Sequence, residues 1–174
     1  MKYVFETEHL GARELRADDA ERLYEIHLDE EVRRWIPNES YRDAEEAGEA
    51  IAFFAERAGR NVLPYVLAIE LKESGELIGD TGINQTQGKP EEAEIGFVIC
   101  REHRGRGYAA EIAEAMTEFA FSIFQTKAIY GRVMRGNDAS VRVLEKIGYR
   151  FVTEEYGAED DPYGNGMLVY RKES

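Results

Sequence analysis

The sequence predicts one α/β domain, a single mixed sheet of about seven strands with helices on both faces. Three observations predict it. A length of 174 residues suits one domain with a real core. A content of 43% hydrophobic and 11% aromatic residues marks a globular chain rather than a disordered one. Strand-length apolar runs alternate with segments of helical periodicity, and no repeat, linker or low-complexity stretch interrupts them.

Gly11 to Ala17 reads as the first strand. Asp18 is the expected N-cap of a helix carrying Leu23, Ile26 and Leu28. Trp35-Ile36-Pro37-Asn38 breaks that pattern, because proline cannot continue a helix. Asp43 to Arg60 is the second helix: Ala47, Ile51, Phe54 and Ala58 fall near one face, and Gly59 is its expected stop. Leu63 to Leu71 and Glu76 to Ile83 read as a hairpin around Ser74-Gly75. Gln85 to Glu92 is expected to be a polar loop, followed by a strand from Ala93 to Cys100. Tyr108 to Phe124 carries an apolar stripe of Ile112, Ala113, Met116, Phe119, Ala120 and Ile123. Lys127 to Met134 is a strand, Asp138 to Ile147 a short helix closed by Gly148, and Tyr149 to Tyr156 and Met167 to Lys172 the last two strands.

The longest apolar runs are strand-length, and the start of the chain turns acidic too early for a signal peptide. A single cysteine, Cys100, excludes an internal disulfide and fits a reducing compartment, so a cytoplasmic protein is expected. A net charge of −13 argues against nucleic acid and anionic membranes as partners. The charge is uneven: residues 101–150 hold nine basic and six acidic residues. A basic island in an acidic protein suits a polyanionic cofactor on one side and a cationic substrate on the other. His9, His27 and His103 are scattered, so no metal is expected.

Arg101-Glu-His-Arg-Gly-Arg-Gly-Tyr-Ala-Ala-Glu111 joins a strand to a helix start. Glycines admit an anion close to the backbone, and the free N–H groups of a helix N-terminus favour negative charge. Neither GxxxxGK[ST] nor GxGxxG is present, which disfavours the common nucleotide loops. The remaining pattern, Arg104-x-x-Gly107-x-Ala109, resembles the pyrophosphate loop of the Gcn5-related N-acetyltransferases, the GNAT superfamily. Two further segments resemble the RimJ/RimL-like branch, which acetylates ribosomal-protein N-termini. They are Ala93-Glu-Ile-Gly-Phe-Val-Ile99 and Asn137-Asp-Ala-Ser-Val-Arg-Val-Leu-Glu-Lys-Ile-Gly-Tyr149.

The resemblance covers essentially the whole chain. It implies a mostly antiparallel sheet splayed between its two central strands, and transfer of acetyl from acetyl-CoA to a primary amine, foremost a protein N-terminus. Phe97, Val98 and Ile99 would meet the pantetheine amides. Arg104, Gly105, Arg106, Gly107, Tyr108 and Ala109 would hold the pyrophosphate. Asn137 would contact the cofactor or serve as a turn residue. Ser140 would stabilise the leaving thiolate or cap its own helix. Glu94 is the candidate base through a water, with Asp80 a weaker choice, and Glu94 could instead be a structural or substrate-binding carboxylate. Cys100 is expected to be a buried residue rather than a nucleophile. Trp35 and Tyr41 would wall the acceptor site or belong to the core, and Glu159-Asp160-Asp161 would attract a cation or be solvated. A homodimer is compatible with the resemblance. The alternatives are a small-molecule amine as acceptor, such as a polyamine or aminoglycoside, or a non-catalytic acyl-CoA-binding regulatory domain.

Overall fold

A computed structural model describes residues 3–86, 88–157 and 166–174, so the acidic stretch Glu159–Asp161 lies outside the described residues. The chain begins with β1 (Phe5–Glu6) and β2 (Leu10–Glu14). A 3-10 turn, Ala17–Asp19, leads into α1 (Ala20–Leu28), and Asp29 separates α1 from α2 (Glu30–Trp35). Asp29 leaves helical geometry, and its side chain accepts from the Glu31 and Val32 N–H groups at 2.9 and 3.4 Å, which starts the new helix. A 3-10 turn at Pro37–Glu39 precedes α3 (Ala44–Gly59), capped by Asp43. Then come β3 (Tyr65–Leu71), β4 (Leu77–Thr86), β5 (Lys89–Ile99), α4 (Tyr108–Phe124), β6 (Ala128–Met134), α5 (Asp138–Lys146), β7 (Arg150–Glu155) and β8 (Met167–Glu173).

The strands form one sheet of eight in the order β1-β2-β3-β4-β5-β6-β8-β7. Every neighbouring pair is antiparallel except β5 and β6, which α4 connects. Alternation on β3 separates the faces. Tyr65 meets Phe119 and Phe124 of α4, while Val66 faces the side covered by α1 and α3. The α4 stripe is shut off from solvent, with Ile112, Ala113, Met116 and Ala120 at 0% exposure. Burying a side chain of Met or Ile size contributes about 1.5–3 kcal/mol.

The expected single mixed sheet is present, with the short β1 added at its edge to make eight strands. Several expectations are corrected. Gln85 to Glu92 is no loop: β4 runs to Thr86 and β5 begins at Lys89, with a register shift after Gln85 and Gly88 at φ +79 turning the chain. Ladder pairing and Arg132 satisfy this polar hairpin, so its polarity does not mark a loop. Asp18 is not the cap; it is exposed, and Asp19 stands at the helix start. Gly59 stays within α3, and the reversal falls on Asn61 at φ +53. On α1 the buried residues are Leu23, Ile26 and His27, while Leu28 is 37% exposed.

Asp19 is buried because Arg13 is. The Arg13 guanidinium, 3% exposed, makes a paired contact with Asp19 at 2.8 and 2.9 Å and also binds Glu70. This ties β2 to β3 and to the entry of α1. Burial alone would raise the Asp19 carboxyl, but the Arg13 hydrogen bonds hold it below the usual range. Stability from this pair is therefore present above the ordinary carboxyl pKa and lost as pH falls through the lowered one. Arg13→Met removes the cation that two buried carboxylates share. It should cost about 3–5 kcal/mol in urea unfolding at neutral pH; a loss below about 1 kcal/mol would show that the network does not hold the sheet to α1.

Candidate active site

The parallel pair of β5 and β6 is matched at only two positions, Ala93 with Ile129 and Glu94 with Tyr130. Beyond Glu94 the strands diverge. On its other side β5 stays fully paired with β4 as far as Gly79 with Ile99, and Cys100 N–H continues to the Ile78 carbonyl at 2.7 Å. Phe97, Val98 and Ile99 thus have one satisfied backbone edge and one without a strand partner. Such an edge pairs readily with an extended, amide-bearing ligand.

After β5 the chain makes a 3-10 turn, Arg101–His103, and reaches α4 through Gly105 and Gly107 at φ +77 and +82. Only glycine takes these angles without strain, and a Cβ on either would meet nothing within 4 Å. The loop is open outward. Gly107 is the N-cap of α4 and supplies no side-chain cap, leaving the first-turn N–H groups to an outside acceptor. Arg104 is already engaged: its Nε donates to the Ile99 carbonyl at 3.0 Å and its Nη2 to Asp29 at 3.1 Å. Arg106 is exposed, 3.5 Å from the His103 ring. The loop N–H groups and Arg106 are the donors left open here, while Arg104 is engaged within the protein. Open strand edge, glycine loop and uncapped helix fit a CoA-like ligand.

A cavity of about 520 Å³ lies at the splay, lined by Glu94 and Phe97 of β5, Asn137 and Ser140 of α5, Trp35, and Tyr156. Four predicted site residues therefore meet there. Val98 and Ile99 are buried beside it, and residues 104–109 are not part of this lining. Asn137, not Ser140, caps α5. Its Oδ1 accepts from the Ser140 N–H at 3.5 Å, and its Nδ2 donates to the Ser140 hydroxyl at 3.1 Å. The hydroxyl proton of Ser140 is left to point elsewhere. Burial raises the Glu94 carboxyl, against the pull of Arg132 and Thr86. Arg132, 9% exposed, also donates to Glu92 at 2.9 Å and Glu155 at 2.8 Å, so it fixes the rim from β5 to β7.

Three residues of this region escape sequence reasoning as a group. Asp80 on β4 bonds His27 of α1 at 2.6 Å, and both are buried. Burial lowers the His27 imidazolium, but Asp80 outweighs it and the net shift is upward. Glu39 stands beside them. Solvent reaches it through the open cleft, yet protein crowds its carboxyl. That desolvation, with repulsion from Asp80 and Glu94 and against the pull of His27, pushes it up to about 7. Asp80 inside a Leu/Ile strand and His27 on an apolar helix face were visible signals; Glu39 beside Pro37 had none. Tyr41 packs edge-on against His27 at 5.1 Å. Cys100 is 2% exposed, and burial raises its thiol, which disfavours a nucleophilic thiolate.

The GNAT acetyltransferase domain model matches residues 9–150. The chain is 31% identical to the Bacillus subtilis (strain 168) protein named "Uncharacterized N-acetyltransferase YoaA", over 84% of this chain and 82% of that one. It is 29% identical to "Putative ribosomal N-acetyltransferase YdaF" from the same organism, over 94% and 90%. The RimJ structure from Mycobacterium smegmatis, solved with CoA-disulfide, shares the fold at a TM-score of 0.80 and 23% identity, covering 95% of this chain and 82% of RimJ. No helix among the described residues is long and apolar enough to cross a membrane. A splayed parallel pair, a glycine loop at a helix start and these relatives agree: the chain belongs to the GNAT acetyltransferase family, as an N-acetyltransferase whose relatives point to the RimJ/RimL-like branch.

Proposed function

We propose that this enzyme acetylates the α-amine of a protein N-terminus. One observation carries the reading: the splay gathers an open strand edge, the Asn137–Ser140 pair and the carboxylates of Glu39 and Glu94 around one cavity. The acceptor class follows from proton energetics. An α-amine titrates near 7.7–8.0 and a lysine near 10.4. A carboxylate pushed up to about 7 lies nearer the α-amine than the lysine amine in proton affinity. The name of the relative YdaF supports the same class.

Acetyl-CoA supplies the thioester whose carbonyl carbon the amine attacks. The free edge of Phe97, Val98 and Ile99 would pair with its pantetheine. The amides from Arg104 to Ala109, with Arg106, would hold its pyrophosphate. Glu39 takes the amine proton as the C–N bond forms. Glu94, fixed by Thr86 and Arg132, accepts a hydrogen bond from the incoming neutral amine and orients its lone pair toward the thioester. As the C–S bond breaks, the Ser140 hydroxyl donates to the departing sulfur, and Asn137 holds that hydroxyl in place.

Calorimetry with acetyl-CoA, followed by thiol release with N-terminally free and N-terminally blocked peptides, tests the reading. Free peptides should release thiol and blocked ones should not; release with neither overturns it. Gly107→Pro should abolish acetyl-CoA binding while circular dichroism stays unchanged, because proline cannot take a φ of +82 and removes an N–H. Unchanged affinity would remove the loop from the donor site. Ser140→Ala should lower kcat about tenfold or more with little change in acetyl-CoA affinity; an unaltered kcat would leave it a structural residue. Below pH about 7, log kcat/KM should fall with a slope near two, one proton on Glu39 and one on the free amine. Glu39→Gln should reduce the slope to one and the rate about 10²-fold. An unchanged slope would exclude Glu39 as the base.

A further inference from the structure

A second cavity of about 500 Å³ lies under α1 and α3, on the same face of the sheet as Glu94. Gly96 leaves room for it, whereas at its cross-strand partner Gly82 a Cβ would meet the Tyr65 carbonyl and Val66 Cγ2 at 2.8 and 2.9 Å. A Cβ on Gly96 would meet nothing within 4 Å. The cavity shares Asn38, Glu39, Asn84 and Gly96 with the site already described, so the two are continuous at the proposed base.

Its lining divides by chemistry. Leu15, Leu23, Phe54 and Val66 are apolar. Glu39, Glu46, Glu49 and Asp80 are acidic, and no lysine or arginine lines it. His27 is the one basic side chain in the wall, and Asp80 already holds its Nε2. His27 Nδ1 is buried and has no hydrogen-bond partner; it faces the Glu39 main chain without meeting hydrogen-bond geometry. With its one histidine already paired to Asp80, the wall is left net acidic. The volume is in the range of small-ligand sites and ample for one long side chain.

We infer that this cavity is a specificity subsite of the acceptor, taking a cationic group on an aliphatic stem carried beside the amine that is acetylated. The stem would cover the apolar wall, and the cation would meet the carboxylates of Glu39 and Glu49. The inference rests on the acceptor site proposed above. Two sources offer this chemistry: a lysine side chain next to a peptide N-terminus, or the far amine of an aliphatic diamine.

Initial rates on the intact enzyme separate them. One arm compares peptides carrying lysine or norleucine at the first and at the second position. The other compares 1,5-diaminopentane with pentylamine. Each arm is run with the natural protein and with Glu49→Gln, an exposed residue of α3 outside the catalytic set. The cationic member should show a KM about tenfold lower than its neutral partner, at unchanged or higher kcat. Glu49→Gln should shrink that ratio about threefold and leave the neutral acceptors unaffected. Discrimination among peptides assigns the side-chain source. Discrimination among amines with no peptide acetylated keeps the subsite and overturns the protein N-terminus as acceptor. Equal KM values within every pair overturn the subsite while leaving peptide acetylation intact. Acetylation of none of these acceptors overturns both.

Discussion

The constraint on which the site depends is the early end of pairing between β5 and β6. Two matched positions join the halves of the sheet, and after Glu94 the strands part. Buried backbone groups seldom go unpaired, so a strand edge left open inside a fold is reserved for something that pairs with it. The opening is not a weakness of β5, whose other edge is matched to β4 from Ala93 to Ile99. It is imposed by α4, whose apolar stripe seats it against β4, β5 and α5 and sets where the chain returns as β6. The same divergence lets Asn137 and Ser140, at the start of α5, reach the cavity that Glu94 and Phe97 line from β5.

Electrostatics divides the molecule along that opening. On one side, glycines at positive φ and an uncapped helix start present N–H groups without a large cationic cluster, and Arg104 spends its guanidinium on Ile99 and Asp29. That contact ties the loop to the N-cap of α2, so the shape of the loop is coupled to the segment bearing Trp35 and Glu39. On the other side, carboxylates converge: Glu39, Asp80 and Glu94 all lie on one face of the sheet near the cleft. Desolvation first, and repulsion from Asp80 and Glu94 after it, push the Glu39 carboxyl up, and burial raises Glu94 as well. Asp80 and Glu94 are each held by a cationic or hydrogen-bonding partner, His27 and Arg132 with Thr86. The rim is stiffened by Arg132, which links β6 to carboxylates on β5 and β7. A long buried side chain with three acidic partners fixes the spacing of β5, β6 and β7 at the rim.

The sequence by itself determined the local structure wherever one period dominated. Tyr108–Phe124 is helical as its stripe requires, Gly148 takes φ +98 after α5, and the glycine loop sits at a helix N-terminus. The alternation of β5 places Glu94, Gly96 and Val98 together, because cross-strand partners share a face. Local pattern misled where a tertiary partner satisfied a residue that looked exposed. The polar run from Gln85 to Glu92 pairs as a hairpin because ladder bonds and Arg132 serve it. Asp19 displaces Asp18 at the helix entry because buried Arg13 needs its carboxylate. Only the tertiary structure decided which charges face each other. His27, Glu39 and Asp80 come from three separate elements, and their meeting depends on how α1 crosses β4 and where the Pro37 turn lies. Sequence records a residue's type and its neighbours along the chain; the proton affinity of a carboxylate and the void over Gly96 depend on neighbours across it.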